Sequence, residues 1–318
     1  MSVSAATAAP TVSAAAGPSA AAHSTAPSGT APPGHRIVIA GAGPAARELV
    51  RSLTRTPFAG VITVLSNRDD APAELLELAA LPRVSVRFGQ PASFVDPMGR
   101  LVTTTDGLEF GYDELVIATG AGPAEAPVEG GAGCLSYSTI DDAGLLGETV
   151  RDIALVLGRR PLGILVGTGA AAGQAEAVLR ARGVRPVRTT LRPSAALPPV
   201  PGSALLSTGI VFADGSSMSG DLVVLAEERV ARDGLAASAG LATATGGGIV
   251  IGQDFRTSVP GIWALGDAAA YDGVRLGLLL SAGTAAAACA SHLLHATASG
   301  RAGDSVPWPA AGPDAVAA

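Results

Sequence analysis

The chain has 318 residues, a mass of 31.1 kDa and a formal charge of -6 at pH 7. This length predicts about two domains with a sizeable core. The sequence has no block of like charges, which argues against a nucleic-acid or anionic-membrane surface. Because aromatic residues make up only 3% of the chain, we expect alanine, valine and leucine to fill the core.

The two ends of the sequence differ in composition from the middle. Residues 1–34 are rich in Ala, Ser, Thr, Pro and Gly, and they have neither the Lys/Arg region of a secretory signal nor the arginines of a transit peptide. We therefore expect disordered tails at 1–34 and 299–318, because this composition buries too little apolar surface to fold. No apolar run approaches the ~20 residues of a membrane span. The prediction is a cytoplasmic protein without a membrane partner.

The two cysteines, Cys134 and Cys289, lie far apart and form no C-x-x-C pair. The sequence therefore does not predict a redox disulfide, a cysteine zinc site or an iron–sulfur cluster held by this chain.

The first predicted unit is a strand at 36–40, a turn at Gly41-Ala-Gly43 and a helix at 45–53. Such a unit brings free backbone N–H groups and a helix N-terminus to one point, which suits a pyrophosphate. The pattern G-x-G-x-x-A also occurs in plain strand–turn–helix units, so alone it leaves both interpretations open.

The next elements extend this unit along the chain. They are a strand at 61–65, a helix at 73–80, a strand at 84–88, a hairpin at 100–110 around Asp106-Gly107 and a buried strand at 112–120.

A ribose-binding carboxylate is expected about 20 residues after the glycine turn. Ser66 stands at the end of the second strand instead, with Asp69 and Asp70 beyond it. Asp69 reaches a ribose only if the loop curls back; the alternative is a solvated turn.

The opening pattern then recurs. After a Pro/Gly-rich linker and a helix at 141–157 come a strand at 162–166, a glycine turn at 167–173, a helix at 174–182 and a strand at 187–191. Two such units, with Gly41 and Gly167 at corresponding places, indicate two nucleotide domains.

The remaining elements are shorter. They are a Pro-rich crossing at 194–203 without a helix, a hairpin at 209–219, strands at 221–226 and 249–251, a short helix at 234–240, a strand ending in Gly266-Asp267 and a helix at 283–295.

The order of these motifs resembles the two-dinucleotide-domain FAD/NAD(P) flavoproteins of the pyridine nucleotide–disulfide oxidoreductase superfamily. The matching motifs are G-x-G-x-x-A at Gly41, A-T-G at 118–120, G-x-G-x-x-x-G at Gly167 and T-x-x-P-G-I-W-A-L-G-D ending at Asp267. The chain is most similar to branches without the redox disulfide, namely ferredoxin or rubredoxin reductases and the flavoprotein part of assimilatory nitrite and nitrate reductases.

The resemblance implies an α/β fold with two Rossmann-like domains. A discontinuous FAD-binding domain would comprise 35–123 and 245–298, with an NAD(P)-binding-like domain at 124–244 inserted between its halves. The family's C-terminal interface domain would be largely absent.

The resemblance also implies FAD contacts. The backbone of the first turn would line the pyrophosphate, Ala92 would offer a main-chain contact to adenine, and Asp267 would accept hydrogen bonds from ribityl hydroxyls, although it could instead cap the following turn. The full expected FAD set is Gly41, Gly43, Pro44, Ala45, Ala46, Ala92, Thr119, Gly120, Gly266 and Asp267.

For NAD(P)H, the resemblance assigns the pyrophosphate to Gly167, Gly169 and Gly173. Arg192 would meet a 2′-phosphate, and Leu191 stands where an NAD-preferring acid is often found. NADP(H) is therefore favoured over NAD(H), with a plain surface role for Arg192 as the alternative.

Departures from the family pattern lie mainly in the second domain. The segment at 193–207 is short, and Glu227-Glu228 replace part of the usual Gly-x-x-Pro-Asn.

Two hypotheses about the function result. One is an FAD-dependent NAD(P)H oxidoreductase that passes electrons to a protein or small-molecule acceptor, with a role in nitrite or nitrate assimilation implied by the nearest branch. The other is a non-catalytic flavin- or nucleotide-binding regulatory protein.

Overall fold

A computed structural model describes residues 34–298 except 57, 59, 125–127, 198–207 and 227. The expected tails at 1–34 and 299–318 lie outside the described residues, apart from Gly34.

Helices and strands alternate through most of the described chain. The α-helices are α1 (Pro44–Thr54), α2 (Ala73–Ala79), α3 (Asp142–Leu157), α4 (Gly169–Ala181), α5 (Leu235–Ala239) and α6 (Ala282–Ala298). The strands up to α3 are β1 (Arg36–Ala40), β2 (Val61–Leu65), β3 (Val84–Arg87), β4 (Ala92–Asp96), β5 (Leu101–Thr104), β6 (Glu109–Gly111), β7 (Glu114–Ile117), β8 (Ala121–Pro123) and β9 (Leu135–Tyr137). The later strands are β10 (Gly163–Val166), β11 (Val187–Thr189), β12 (Pro193–Leu197), β13 (Thr208–Phe212), β14 (Ser217–Gly220), β15 (Leu222–Ala226), β16 (Arg229–Ala231), β17 (Ile249–Val250), β18 (Ile262–Ala264), β19 (Ala269–Tyr271) and β20 (Val274–Arg275).

The first Rossmann-like unit is a parallel sheet in the order β18-β7-β1-β2-β3. Every residue of β7 is buried, as expected for a strand covered on both faces. Helix α1 turns Ala46, Leu49, Val50 and Leu53 into the core, at the spacing of one helix face. It packs against α6, whose small alanines allow close approach.

Strand β18 joins this sheet from far along the chain. It runs parallel to β7, with Ile262 opposite Leu115. In the same pair of strands, the Trp263 indole N–H donates to Glu114 Oε2 at 2.6 Å, in a buried contact. The Arg256 guanidinium lies 5.1 Å from the centre of the Trp263 ring. The sheet is therefore completed by a segment nearly 150 residues later in sequence.

The second unit is a parallel sheet in the order β11-β10-β15-β9, with α3 and α4 packed beside it. A buried carboxylate ties its edge together: Asp221 accepts from Arg159 at 2.6 and 2.8 Å and from the Leu162 N–H at 2.6 Å. The hydrogen bonds from Arg159 hold the pKa of Asp221 below its usual range, against the opposing effect of burial.

Each unit also carries a three-stranded antiparallel sheet, β4-β5-β6 in the first and β12-β13-β14 in the second. In the second unit, Ile210 and Phe212 of β13 share a core with Ile164 and Val166 of β10. In the first, Val95 and Val102 belong to the main core. The two units thus follow one plan. They are joined by a two-stranded antiparallel ribbon of β8 and β16.

The α/β fold with two Rossmann-like units, the first of them discontinuous, confirms the predicted fold class. Three short strands, β4, β9 and β12, were not predicted from the sequence; β12 overlaps the segment 194–203, which was expected to cross without a helix. Strands of three to five residues carry little periodic signal of their own. Helix α4 begins at Gly169, earlier than the expected 174, so that the small residues 169–173 form its first turn and not a separate loop.

Among the described helices, none is both long enough and apolar enough to cross a bilayer.

Replacing the indole tests how strongly β18 is fixed to β7. Trp263→Phe keeps an aromatic side chain, although a smaller one, and removes the N–H donor, leaving the buried Glu114 carboxylate without this partner. We expect a loss of about 1–3 kcal/mol in the free energy of unfolding, measured by urea denaturation. The exposed Glu109→Gln on β6 is the control and should change stability by less than about 0.5 kcal/mol. A Trp263→Phe protein as stable as wild type would contradict this role.

Candidate functional site

The first glycine turn is built around Gly41. Its N–H donates to the Leu65 carbonyl at 2.9 Å, and its φ of +116° lies in the region that favours glycine. A Cβ at this position would collide with the carbonyl oxygen of Ala118. Gly41 is therefore required by the close approach of β7, independently of any ligand.

Helix α1 leaves the turn with its N-terminus open. Gly43 is the N-cap, and no side chain caps the helix; Pro44 follows at the first position. The first helical turn carries no acidic residue. A Cβ on Gly43 would meet no atom within 4 Å, so there is room beside Ala45 and Ala46, whose N–H groups have no partner within the helix. This arrangement suits an anion.

The Gly266-Asp267 motif lies beside this turn. The Leu265 N–H donates to the Ile117 carbonyl at 2.9 Å, which places the end of β18 next to the end of β7. Gly266 has φ +67°, and a Cβ on it would lie 2.9 Å from the Ala45 Cβ. The structure therefore brings together Gly41, Ala45 and Asp267, three residues that the sequence placed in one site.

The Asp267 carboxylate is largely buried, and burial raises its pKa, while the positive charges of Arg275 and Arg229 oppose that rise. Arg275 Nη1 lies 3.1 Å from Oδ2. Oδ1, which lies against Gly277, has no hydrogen-bond partner. A buried acceptor without a donor is costly, so a ligand hydroxyl would satisfy it.

Two partly buried arginines connect this carboxylate to the second unit. Arg275 Nη2 donates to the Ser138 carbonyl at 2.8 Å, and Arg229 Nη2 donates to the Ala121 carbonyl at 2.8 Å. Arg229 Nε has no partner. Sequence reasoning did not single out either arginine, because the contacts span 137 and 108 residues and no local motif marks them.

Thr119 and Gly120 follow β7 at the same edge of the sheet. The Thr119 hydroxyl donates to the Arg232 carbonyl at 2.5 Å, and the Arg232 N–H donates to the Gly120 carbonyl at 2.8 Å. The Thr119 side chain is therefore engaged in joining the two units. Gly120 has φ +73°, and a Cβ there would meet nothing within 4 Å.

The predicted ribose region has no carboxylate at the end of β2. Ser66 is fully buried, its hydroxyl accepts from the Arg68 N–H at 3.1 Å, and its carbonyl accepts from the Gln90 N–H at 2.9 Å. Asp69 is exposed and lies over Gly89. Ala92 begins β4, opposite Thr104 of β5.

The second glycine turn repeats the first. The Gly167 N–H donates to the Thr189 carbonyl at 3.0 Å, and Gly167 has φ +139°. A Cβ on it would lie 2.5 Å from the Ala226 carbonyl oxygen. Thr168 is the N-cap of α4 and Gly169 its first residue, while Gly173 lies exposed one turn further along.

One side chain distinguishes the second turn from the first. Glu228 Oε1 lies 3.2 Å from Thr168 Oγ1 and 2.8 Å from the position of a Cβ on Gly169. The sequence drew attention to Glu228 as a departure from the family pattern, but its position over the turn is visible only in the structure.

Arg192, the expected 2′-phosphate ligand, is exposed immediately before β12, and its carbonyl accepts from the Ala213 N–H at 2.9 Å. Arg188 lies nearer the turn: its Nε is 3.5 Å from the Gly167 carbonyl oxygen and its Nη1 is 3.2 Å from Glu176 Oε2. Sequence reasoning missed Arg188, although its position on the strand beside the turn was a usable signal.

Both cysteines are free thiols, and burial raises the pKa of each. Cys289 is fully buried in α6. Within the part of the chain that the structure describes, no three His, Cys, Asp or Glu side chains are grouped closely enough to hold a metal ion.

Comparison with known proteins gives consistent matches. The profile of the family described as "Pyridine nucleotide-disulphide oxidoreductase" matches residues 200–293. The chain is 30% identical to a probable ferredoxin reductase from Castellaniella defragrans, over 73% of this chain and 67% of that protein. It is 26% identical to rubredoxin-NAD(+) reductase from Pseudomonas putida, over 73% and 71%.

A third relative is much longer. The chain is 28% identical to the nitrite reductase [NAD(P)H] large subunit from Klebsiella oxytoca over 62% of this chain, but it spans only 23% of that subunit.

Among solved structures, the covalent putidaredoxin reductase–putidaredoxin complex matches with a TM-score of 0.53 and 22% identity, covering 82% of this chain and 75% of the matched chain. That likeness establishes the fold.

Proposed function

The chain belongs to the pyridine nucleotide-disulphide oxidoreductase family, and from this premise we propose that it is an FAD-dependent oxidoreductase that accepts hydride from NAD(P)H and delivers electrons to a separate acceptor. The observation that carries the proposal is the contact of Gly266 with Ala45, which brings the next residue in the chain, Asp267 with its unpartnered Oδ1, close to the open first turn. An anion site and a buried acceptor at one point suit the pyrophosphate and the polyol chain of FAD.

The residues of the first unit fit this cofactor. Gly43 and Gly120 each leave space that a Cβ would enter without touching protein. The backbone at Ala45 and Ala46 offers N–H groups to a pyrophosphate, and Asp267 offers an acceptor to a ribityl hydroxyl. We assign Gly41, Pro44 and Gly266 to shaping the turn, and the main chain at Ala92 to the adenine end.

FAD, when bound, supplies the two-electron chemistry, and the protein supplies binding, orientation and a controlled environment. Accordingly, we name no side chain as a catalytic residue. Arg275 and Arg229 place positive charge beside Asp267 and keep its carboxylate available as an acceptor.

For the nucleotide, we propose that Gly167, Gly169 and Gly173 receive the NAD(P)H pyrophosphate. Arg192 is proposed to meet a 2′-phosphate, which favours NADPH over NADH. The relatives are named for ferredoxin, rubredoxin and nitrite. We therefore propose as acceptor a small redox protein or a small oxidised nitrogen compound, the latter in nitrite or nitrate assimilation.

A second candidate is a flavin-binding protein with little turnover. The Glu228 carboxylate over the second turn favours it, because that position is where the hydride donor would bind.

Anaerobic spectroscopy separates the two candidates. The purified protein, reconstituted with FAD, should show flavin absorbance that bleaches on addition of NADPH. A flavoprotein that neither NADPH nor NADH reduces would contradict the oxidoreductase and leave the flavin-binding candidate.

Steady-state kinetics with NADPH and with NADH test the nucleotide preference. Arg192→Ala should raise the KM for NADPH several-fold more than the KM for NADH, because only NADPH carries the phosphate. Equal changes in both KM values would remove the assignment of Arg192.

The room beside Gly43 can be filled without harming the fold. Gly43 has φ -71° and ψ -177°, which alanine adopts freely, and since alanine is less favourable than glycine at an N-cap, Gly43→Ala should lower the free energy of unfolding by no more than about 1 kcal/mol. The added methyl would project into the proposed pyrophosphate space, and FAD occupancy should fall about tenfold or more. Gly144→Ala, on the exposed side of α3, is the matched control and should keep full occupancy. Normal FAD content in Gly43→Ala would contradict the pyrophosphate assignment.

A further inference from the structure

The two glycine turns can be compared position by position. In each, the first glycine packs against the carbonyl oxygen of an alanine at the end of the neighbouring strand, Ala118 for Gly41 and Ala226 for Gly167. The residue two places after that alanine therefore occupies an equivalent place in both units. It is Gly120 in the first unit and Glu228 in the second.

This difference changes what stands over the helix N-terminus. In the first unit, Cβ atoms on Gly43 and Gly120 would meet nothing within 4 Å. In the second, Glu228 Oε1 lies 2.8 Å from the Cβ position of Gly169 and 3.2 Å from the hydroxyl of Thr168. The space that is open in the first turn contains a carboxylate in the second.

The location suits a carboxylate, because the N-terminus of a helix carries partial positive charge. Helix α4 has no acidic residue in its own first turn, so Glu228 supplies that negative charge from outside the helix. Arg188 and Glu176 also lie near this turn and pair with each other at 3.2 Å, and Glu176 pairs with Arg180 at 2.6 Å. Arg188 is thus shared between Glu176 and the turn.

We infer that Glu228 is a tethered anion that competes with the pyrophosphate of NAD(P)H for the second turn. The inference deepens the proposed function and rests on it. A bound dinucleotide must displace Glu228 from Thr168 and must also tolerate its charge nearby. Glu228 therefore weakens dinucleotide binding and makes the affinity depend on ionic strength.

Glu228→Gln tests this directly. The amide keeps the side-chain volume and an oxygen acceptor for Thr168 but removes the charge. We expect the Kd for NADPH, measured by calorimetry under anaerobic conditions, to fall about tenfold at low salt, the scale of one close like-charge contact near a protein surface. Glu228→Ala, which also empties the space, should bind at least as tightly as Glu228→Gln.

Salt distinguishes charge from a purely structural effect. Between about 0.01 M and about 1 M salt the Debye length falls from about 30 Å to about 3 Å, so the ratio of wild-type to variant Kd should shrink towards unity. The exposed Glu148→Gln on α3 is the control for a general loss of negative charge and should bind like wild type. A Glu228→Gln Kd within about twofold of wild type at low salt would overturn the inference, as would an equal gain in Glu148→Gln.

FAD content separates this test from that of the proposed function. Flavin absorbance per chain depends on the first unit and should be the same in wild type and in Glu228→Gln. Normal flavin content with an unchanged Kd overturns the role of Glu228 alone. Failure to bind FAD in every variant overturns the proposed function, while the comparison of NADPH affinities still decides the role of Glu228.

Discussion

The pairing of β18 with β7 is the constraint on which the rest of the structure depends. The chain leaves the first sheet after Ile117 and returns to it at Ile262. The buried hydrogen bond from Trp263 to Glu114 fixes that return, and the register carries Gly266 against Ala45. Without this pairing, Asp267 would not be held near the first glycine turn. With it, an uncapped helix N-terminus and a largely buried carboxylate lie at one edge of one sheet.

The second unit repeats the geometry of the first but differs in its charge. Both turns use a glycine at positive φ against a strand carbonyl, and both begin a helix without a side-chain cap. The first is open, with Asp267 beside it; the second lies under Glu228. Two turns with the same backbone geometry therefore need not bind an anion with the same affinity. In our proposal, the residue two places after Ala118 and after Ala226, Gly120 in the first unit and Glu228 in the second, sets how readily each turn accepts an anion.

Local patterns predicted much of this molecule. The sequence predicted buried strands such as β1, the two glycine turns and the Gly266-Asp267 motif, because each of these features depends on residues close together in the chain. Strands β9 and β12 were not predicted, since both are short; β9 also forms only against β15, about 90 residues later in the chain. The Arg275–Asp267 ion pair could not be predicted from the sequence, because it forms only when the two short elements that carry these residues fold back on each other. The same holds for Glu228, which lies 60 residues from Thr168.

The central claim is that the returning strand completes a site for FAD. Its most direct measurement is to denature the purified, reconstituted protein and identify the released flavin by chromatography. The expected result is FAD, at about one molecule per chain, because the first unit has room at its turn and an acceptor for a single dinucleotide. Release of no flavin, or of FMN in place of FAD, would contradict the claim.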